Sequence, residues 1–137
     1  MASYLRLEVG PYYLLLPTDE VFEVLSFAPA PGEPGFVAWR EDILSTVSLR
    51  GRLGLPEAGT GFLIIHGEDG VGREGLVVDK VLGLVELAEG DFQPVPLAAS
   101  GARIHFDRVW TDSNAGRQAL RLRSSRATGG AHASVPA

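Results

Sequence analysis

The stretch Gly75-Leu76-Val77-Val78-Asp79-Lys80-Val81-Leu82-Gly83-Leu84-Val85-Glu86-Leu87 decides the fold class, because of what precedes it. Gly70-Val71-Gly72-Arg73-Glu74-Gly75 matches G-x-G-x-x-G, whose glycines let a pyrophosphate approach the backbone where a helix begins. A dinucleotide site needs that helix after the last glycine. Residues 76–81 are instead β-branched and strand-like, so 67–75 reads as a glycine-rich hairpin loop. Gly83 interrupts the run and marks a bulge or sharp bend.

Outward from this stretch the same pattern recurs. Short β-type runs at Tyr4 to Val9, Tyr12 to Leu16, Glu20 to Phe27, Phe36 to Trp39, Ile43 to Leu49, Phe62 to His66, Ile104 to Trp110 and Ala119 to Leu122 alternate with Gly, Pro and Asp turn signals. No helical periodicity lasts more than about two turns. Glu20 to Phe27 reads as a short strand or a single helical turn. Residues 29–35 hold three prolines and two glycines and form a loop, as does 51–61. Phe92 to Leu97 carries Pro94 and Pro96, which confines it to a sheet edge or an extended connection. The expected class is all-β, as small barrels or a sandwich. From Ser124 onward the only large apolar residue is Val135, so residues 124–137 are expected to be a disordered tail behind one domain over 1–123.

Composition narrows the function classes. A chain of 137 residues, 45% hydrophobic, buries roughly 68% of the surface its unfolded form exposes and needs no covalent staple. It has no Cys, which removes disulfides, Cys-ligated zinc and thiol nucleophiles. The N-terminus lacks a basic start followed by an apolar segment, and apolar runs such as 12–16 and 62–65 are far shorter than the roughly 20 residues of a membrane helix. A cytoplasmic protein is expected. Residues 1–100 hold six basic and 15 acidic side chains against six and two in 101–137. That acidic body repels phosphate backbones, so nucleic acid is not an expected partner.

Catalytic and metal chemistry find no constellation. His66, His105 and His132 sit at no ligand spacing, and no metal or cofactor is expected. His105 and Asp107 could join a serine in a triad, yet no G-x-S-x-G turn presents a nucleophile. Glu41-Asp42 and Glu68-Asp69 lie in turns as solvated acids.

Two stretches carry a recognisable order. Residues 35–55, GFVAWREDILSTVSLRGRLGL, resemble the central motif of the CheW family, G-V-I-N-L-R-G-x-V-I-P-V-V-D-L-R-x-x-L-G. Residues 75–87 are similar to that family's G-L-L-V-D-x-V-x-x-V-x-x-L, and Phe92-Gln93-Pro94-Val95-Pro96 to its I-x-P-x-P. Val21, Glu23, Val24 and Leu25 match its V-x-E-V-L, and the likeness covers about residues 4 to 123. The resemblance implies two five-stranded SH3-like β-barrels packed together and a non-catalytic adaptor that makes and breaks no covalent bond. It further implies that the adaptor links the cytoplasmic tip of methyl-accepting chemoreceptors to the regulatory domain of a CheA-type histidine kinase. One barrel meets the kinase and a groove between barrels takes the receptor.

On that resemblance the expected partner-binding residues are Glu23, Val37, Arg40, Glu41, Val78, Asp79 and Val81. Val37, Val78 and Val81 would line the groove, Arg40 and Asp79 would orient the partner, and Glu23 would pair with Arg40. This chain departs from the family at Ala38, Glu41, Ser45 and Ser48. A glutamate after Arg40 costs of order 1 kcal/mol if that turn position needs positive φ. A divergent adaptor of a Frz-type gliding-motility pathway, binding receptor but not kinase, is the close alternative. A small nucleotide-binding enzyme using Gly70 to Gly75 is the alternative of another class.

Overall fold

A computed structural model describes residues 1–27, 35–56, 61–68, 72–96 and 106–122. Eleven strands account for most of them: β1 Ala2–Val9, β2 Tyr12–Pro17, β3 Val21–Phe27, β4 Phe36–Trp39, β5 Asp42–Ser48, β6 Gly61–Glu68, β7 Gly72–Val78, β8 Lys80–Leu87, β9 Phe92–Pro94, β10 Phe106–Asp112 and β11 Arg117–Leu122. The one α-helix among the described residues is a single turn, α1 Leu49–Arg52, started where the Ser48 hydroxyl accepts from Gly51 N at 3.2 Å. The all-β expectation holds. Of the expected loops at 29–35 and 51–61, residues 29–34 and 57–60 lie outside the described residues, as do 97–105 with His105 and the expected tail; the second loop is shorter than expected, since Gly51 and Arg52 belong to α1 and Gly61 opens β6.

Two sheets form, in the orders β8-β1-β2-β11-β10-β9 and β3-β6-β7-β5-β4. These are the two small SH3-like barrel units, although the first counts six strands where five were expected, because short β9 adds to its edge on β10. Proline explains β9's place, since Pro94 and Pro96 cannot donate to a further ladder. The chain lays down β1 and β2, makes the whole second sheet, and returns with β8 to β11. Sheet one is therefore closed by distant pairs: β8 on β1, with Leu5 opposite Leu84, and β11 parallel to β2, with Leu14 opposite Leu120.

Three apolar clusters explain the continuous hydrophobic runs. Tyr4, Tyr13, Leu15, Leu87, Phe92 and Ala119 form a cluster of sheet one alone. Trp39, Leu44, Leu63 and Ile65 form one of sheet two alone. Between them lies a shared core in which Leu5, Leu7, Val9, Leu14 and Leu16 meet Leu49, Ile64, Leu76 and Val78. Strands β2 and β6 thus bury both faces: Leu14 and Leu16 point one way and Tyr13 and Leu15 the other, as do Ile64 against Leu63 and Ile65. Such strands read as unbroken apolar runs rather than alternation. Each fully buried Leu or Ile contributes on the order of 1.5–3 kcal/mol.

The stretch 76–87 is not one strand. It ends as β7 at Val78, turns at Asp79, and resumes as β8 in the other sheet. The turn is held by Asp79 N donating to Glu8 O at 3.0 Å. Gly83 does mark the expected irregularity: Arg6 pairs with Gly83 but Leu7 with Val81, leaving Leu82 bulged. At φ 128° this position favours glycine.

Candidate partner-binding groove

Each sheet ends in a strand that carries exposed apolar residues. β3 ends sheet two and β8 ends sheet one, and β6 neighbours both, hydrogen-bonded to β3 and approaching β8 across the seam. Residues directly opposite in a ladder share a face. Val24 lies opposite Ile64 and Leu84 opposite Leu5, so both point to the shared-core side, yet they are 39% and 63% exposed. Leu82, in the bulge, is 37% exposed. Val81, Phe62 and Val21 pack half-buried against the same core. The exposed apolar residues of β3 and β8 make these two edges a candidate docking groove, since exposed apolar side chains mark docking surfaces.

A clamp at the β7–β8 junction ties the two sheets together where the chain crosses between them. Arg50 of α1 grips the Asp79 carboxylate with two parallel bonds, Nε to Oδ1 at 2.8 Å and Nη2 to Oδ2 at 2.7 Å. Its Nη1 also donates to Pro56 O at 2.9 Å. Asp79 Oδ2 accepts from Gly10 N in the β1–β2 turn at 2.7 Å. One carboxylate thereby joins α1 after sheet two to the first hairpin of sheet one. The Arg50 hydrogen bonds, helped by Gly10, hold the Asp79 carboxyl below its ordinary value, as charge-assisted bidentate pairs do.

The structure distributes the expected site residues unevenly. Val81 is half-buried against the shared core. Val78 is 1% exposed inside that core, so its side chain is not available to a partner: β7 is covered on that face by sheet one. Val37 packs in the separate cluster of sheet two, away from Val81. Asp79 is committed to Arg50 and Gly10 and acts as a brace rather than a partner-facing charge.

The expected Glu23–Arg40 ion pair is replaced by another contact. Glu23 Oε1 accepts from Trp39 Nε1 at 2.8 Å, while the Arg40 guanidinium stacks 4.3 Å from the Trp39 ring centroid. The register shift between Val21 and Glu23 and the inward face of Trp39 bring carboxylate and indole together. The positive φ also falls on Arg40 itself, at 55°, and not on Glu41. Trp39 and Asp42 close the two-residue turn, leaving Glu41 exposed at its tip. Arg50, Val24, Leu82 and Leu84 all stood within the quoted motifs but were not among the expected partner-binding residues, and nothing in spacing tied Arg50 to Asp79.

Chemical alternatives meet the same geometry. Gly70 and Val71 lie outside the described residues, and 72–78 form a strand, where a pyrophosphate site requires a helix. His66 is buried and paired with Glu74 at 3.1 Å, a bond that holds the Glu74 carboxyl below its ordinary value. Among the described residues no three His, Cys, Asp or Glu gather as metal ligands, and no helix is long and apolar enough to cross a membrane.

Two sheets share one core, and an ion pair ties them together at the crossing between them. A family model described as CheW-like domain matches residues 3–126, and the chain belongs to that family. Among solved structures it is similar to the scaffolding protein TtCheW from Thermoanaerobacter tengcongensis, with TM-score 0.72 and 18% identity over 89% of this chain and 88% of that one. That likeness supports the fold. No curated protein matches the chain.

Proposed function

We propose that this chain is a non-catalytic chemosensory adaptor, coupling methyl-accepting chemoreceptors to a CheA-type histidine kinase in the cytoplasm. The observation that carries the reading is the pair of apolar edges: Val24 on β3 and Leu82 and Leu84 on β8 lie exposed, with Val81 half-buried against the shared core, in a chain of the CheW-like family. Amphipathic helices dock by laying an apolar stripe into such a groove, which suits a helical receptor tip. The structurally similar TtCheW is a scaffolding protein, in keeping with this role. The resemblance gives the kinase regulatory domain to one of the two barrels, and this chain departs from the family pattern at Ala38, Glu41, Ser45 and Ser48.

An adaptor shifts a kinase equilibrium only by binding one receptor–kinase arrangement better than another. The Arg50–Asp79 clamp suits that task, because it lets contact at the groove in one sheet bear on the position of the other. Titrating the full chain with a receptor-tip fragment and with a kinase regulatory domain tests the proposal. Binding of both supports coupling, binding of the receptor alone leaves the Frz-type adaptor, and binding of neither overturns both.

A further inference from the structure

The β4–β5 hairpin presents a second surface that the groove does not use. β4 is the outermost strand of sheet two, and only Thr46–Ser48 of β5 pair with β7, so the hairpin tip stands clear of the sheet. Gly35 O accepts from Thr46 N at 2.6 Å, which sets the phase of the ladder. Gly35, Val37 and Trp39 exchange hydrogen bonds with β5, and the N–H and C=O groups of Phe36 and Ala38 turn to the outer edge. No other described strand meets that edge.

Side-chain alternation completes the surface. Val37, Trp39 and Leu44 point into the cluster of sheet two. Phe36, Ala38, Ile43 and Ser45 point out, with Phe36 62% and Ile43 77% exposed, and Ala38 lies directly opposite Ile43. Natural edge strands are usually blunted by a charge, a proline or a bulge. Phe36-Val37-Ala38-Trp39 has neither charge nor proline, and its register with β5 is unbroken.

We infer that this edge pairs with the same edge of a second copy of the chain, as an antiparallel two-fold ladder centred on Val37. The phase of the ladder permits this register: Phe36 falls opposite the second copy's Ala38, and these residues carry the outward backbone groups on both strands. Four inter-chain backbone hydrogen bonds result. Ala38 is small enough to seat the incoming Phe36 ring, with Ile43 as its far wall, so each copy supplies one large and one small residue in matching places. This self-complementarity selects a second copy over an unrelated strand, since a two-fold interface must match itself. The strand is four residues long, and such an interface falls short of the roughly 1,200 Å² of stable complexes, so the association is weak, with Kd in the micromolar to millimolar range.

The inference is independent of the adaptor reading, because its test uses neither receptor nor kinase. Sedimentation velocity of the full chain up to about 1 mM, where weak pairs at the millimolar limit populate, is expected to show mass rising from 14.6 kDa toward twice that value. Ala38→Pro removes one outward N–H and leaves the β5 ladder intact, and Phe36→Lys places two cations at the interface. Each variant, with its melting checked by circular dichroism, is expected to weaken dimerisation at least tenfold. A wild-type mass fixed at 14.6 kDa through the whole range, or dimerisation unchanged in a folded Phe36→Lys, overturns the inference.

Discussion

The Asp79 carboxylate is held by Arg50 on one side and by Gly10 N on the other, at 2.7–2.8 Å throughout. Asp79 stands at the point where the chain leaves sheet two for sheet one, so the contact spans the two halves of the molecule. Its side chains are about one fifth to one quarter exposed, which places it between a weak surface pair and a fully buried one.

Removing either partner is therefore costly. Arg50→Ala and Asp79→Ala are each expected to destabilise by about 1.5–3 kcal/mol, the range for hydrogen bonds to charged groups. The double variant is expected to cost less than the sum of the singles. Urea denaturation checks this, and strict additivity contradicts the clamp.

The same contact sets an acid limit. Asp79 titrates below its ordinary 3.8, so its contribution is complete above that value and is lost as pH falls through the lowered folded value. Glu74, lowered by its bond to His66, adds in the same direction. Urea midpoints are expected to stay level with respect to these groups above pH 5 and to drop below about pH 4. Asp79→Asn is expected to show a shallower acid loss than the parent.

Glu23 offers a test of partner choice. A double-mutant cycle of Glu23→Ala with Trp39→Phe is expected to give a coupling of about 0.5–3 kcal/mol, since the indole N–H loses its acceptor. The cycle of Glu23→Ala with Arg40→Ala is expected to be additive within about 0.5 kcal/mol. The reverse ordering contradicts the observed geometry.

Gly61 tests the seam from the inside. An added Cβ there would run into the Val78 carbonyl oxygen just before the sheets part. Gly61→Ala is expected to destabilise by about 1–3 kcal/mol, the cost of overpacking. Gly90→Ala, where nothing lies within 4 Å, is expected to be near neutral.

Much of this architecture was legible because it follows from local chemistry. Pro94 and Pro96 mark an edge, Gly83 a bulge, and the apolar runs at 12–16 and 62–65 mark strands, whose burial on both faces the structure added. The break at Asp79 was not legible, since Val-Val-Asp-Lys-Val keeps strand character on both sides and the crossing is decided by which sheet has a free edge. Charge alone suggested Glu23 with Arg40, whereas the strand register delivered the Trp39 N–H to the same oxygen. Val78 and Leu84 read alike in sequence. Burial separates them, because β8 is the last strand of its sheet and β7 is not.

Calorimetric titration of the chain with a helical chemoreceptor-tip fragment, beside Leu84→Asp and Val24→Asp, tests the central claim most directly. Both positions are exposed and close no part of the core, so the variants are expected to melt within a few degrees of the parent. The account predicts saturable binding to the parent, weakened at least tenfold by either substitution. Binding that both folded variants retain unchanged would contradict the groove as the receptor site.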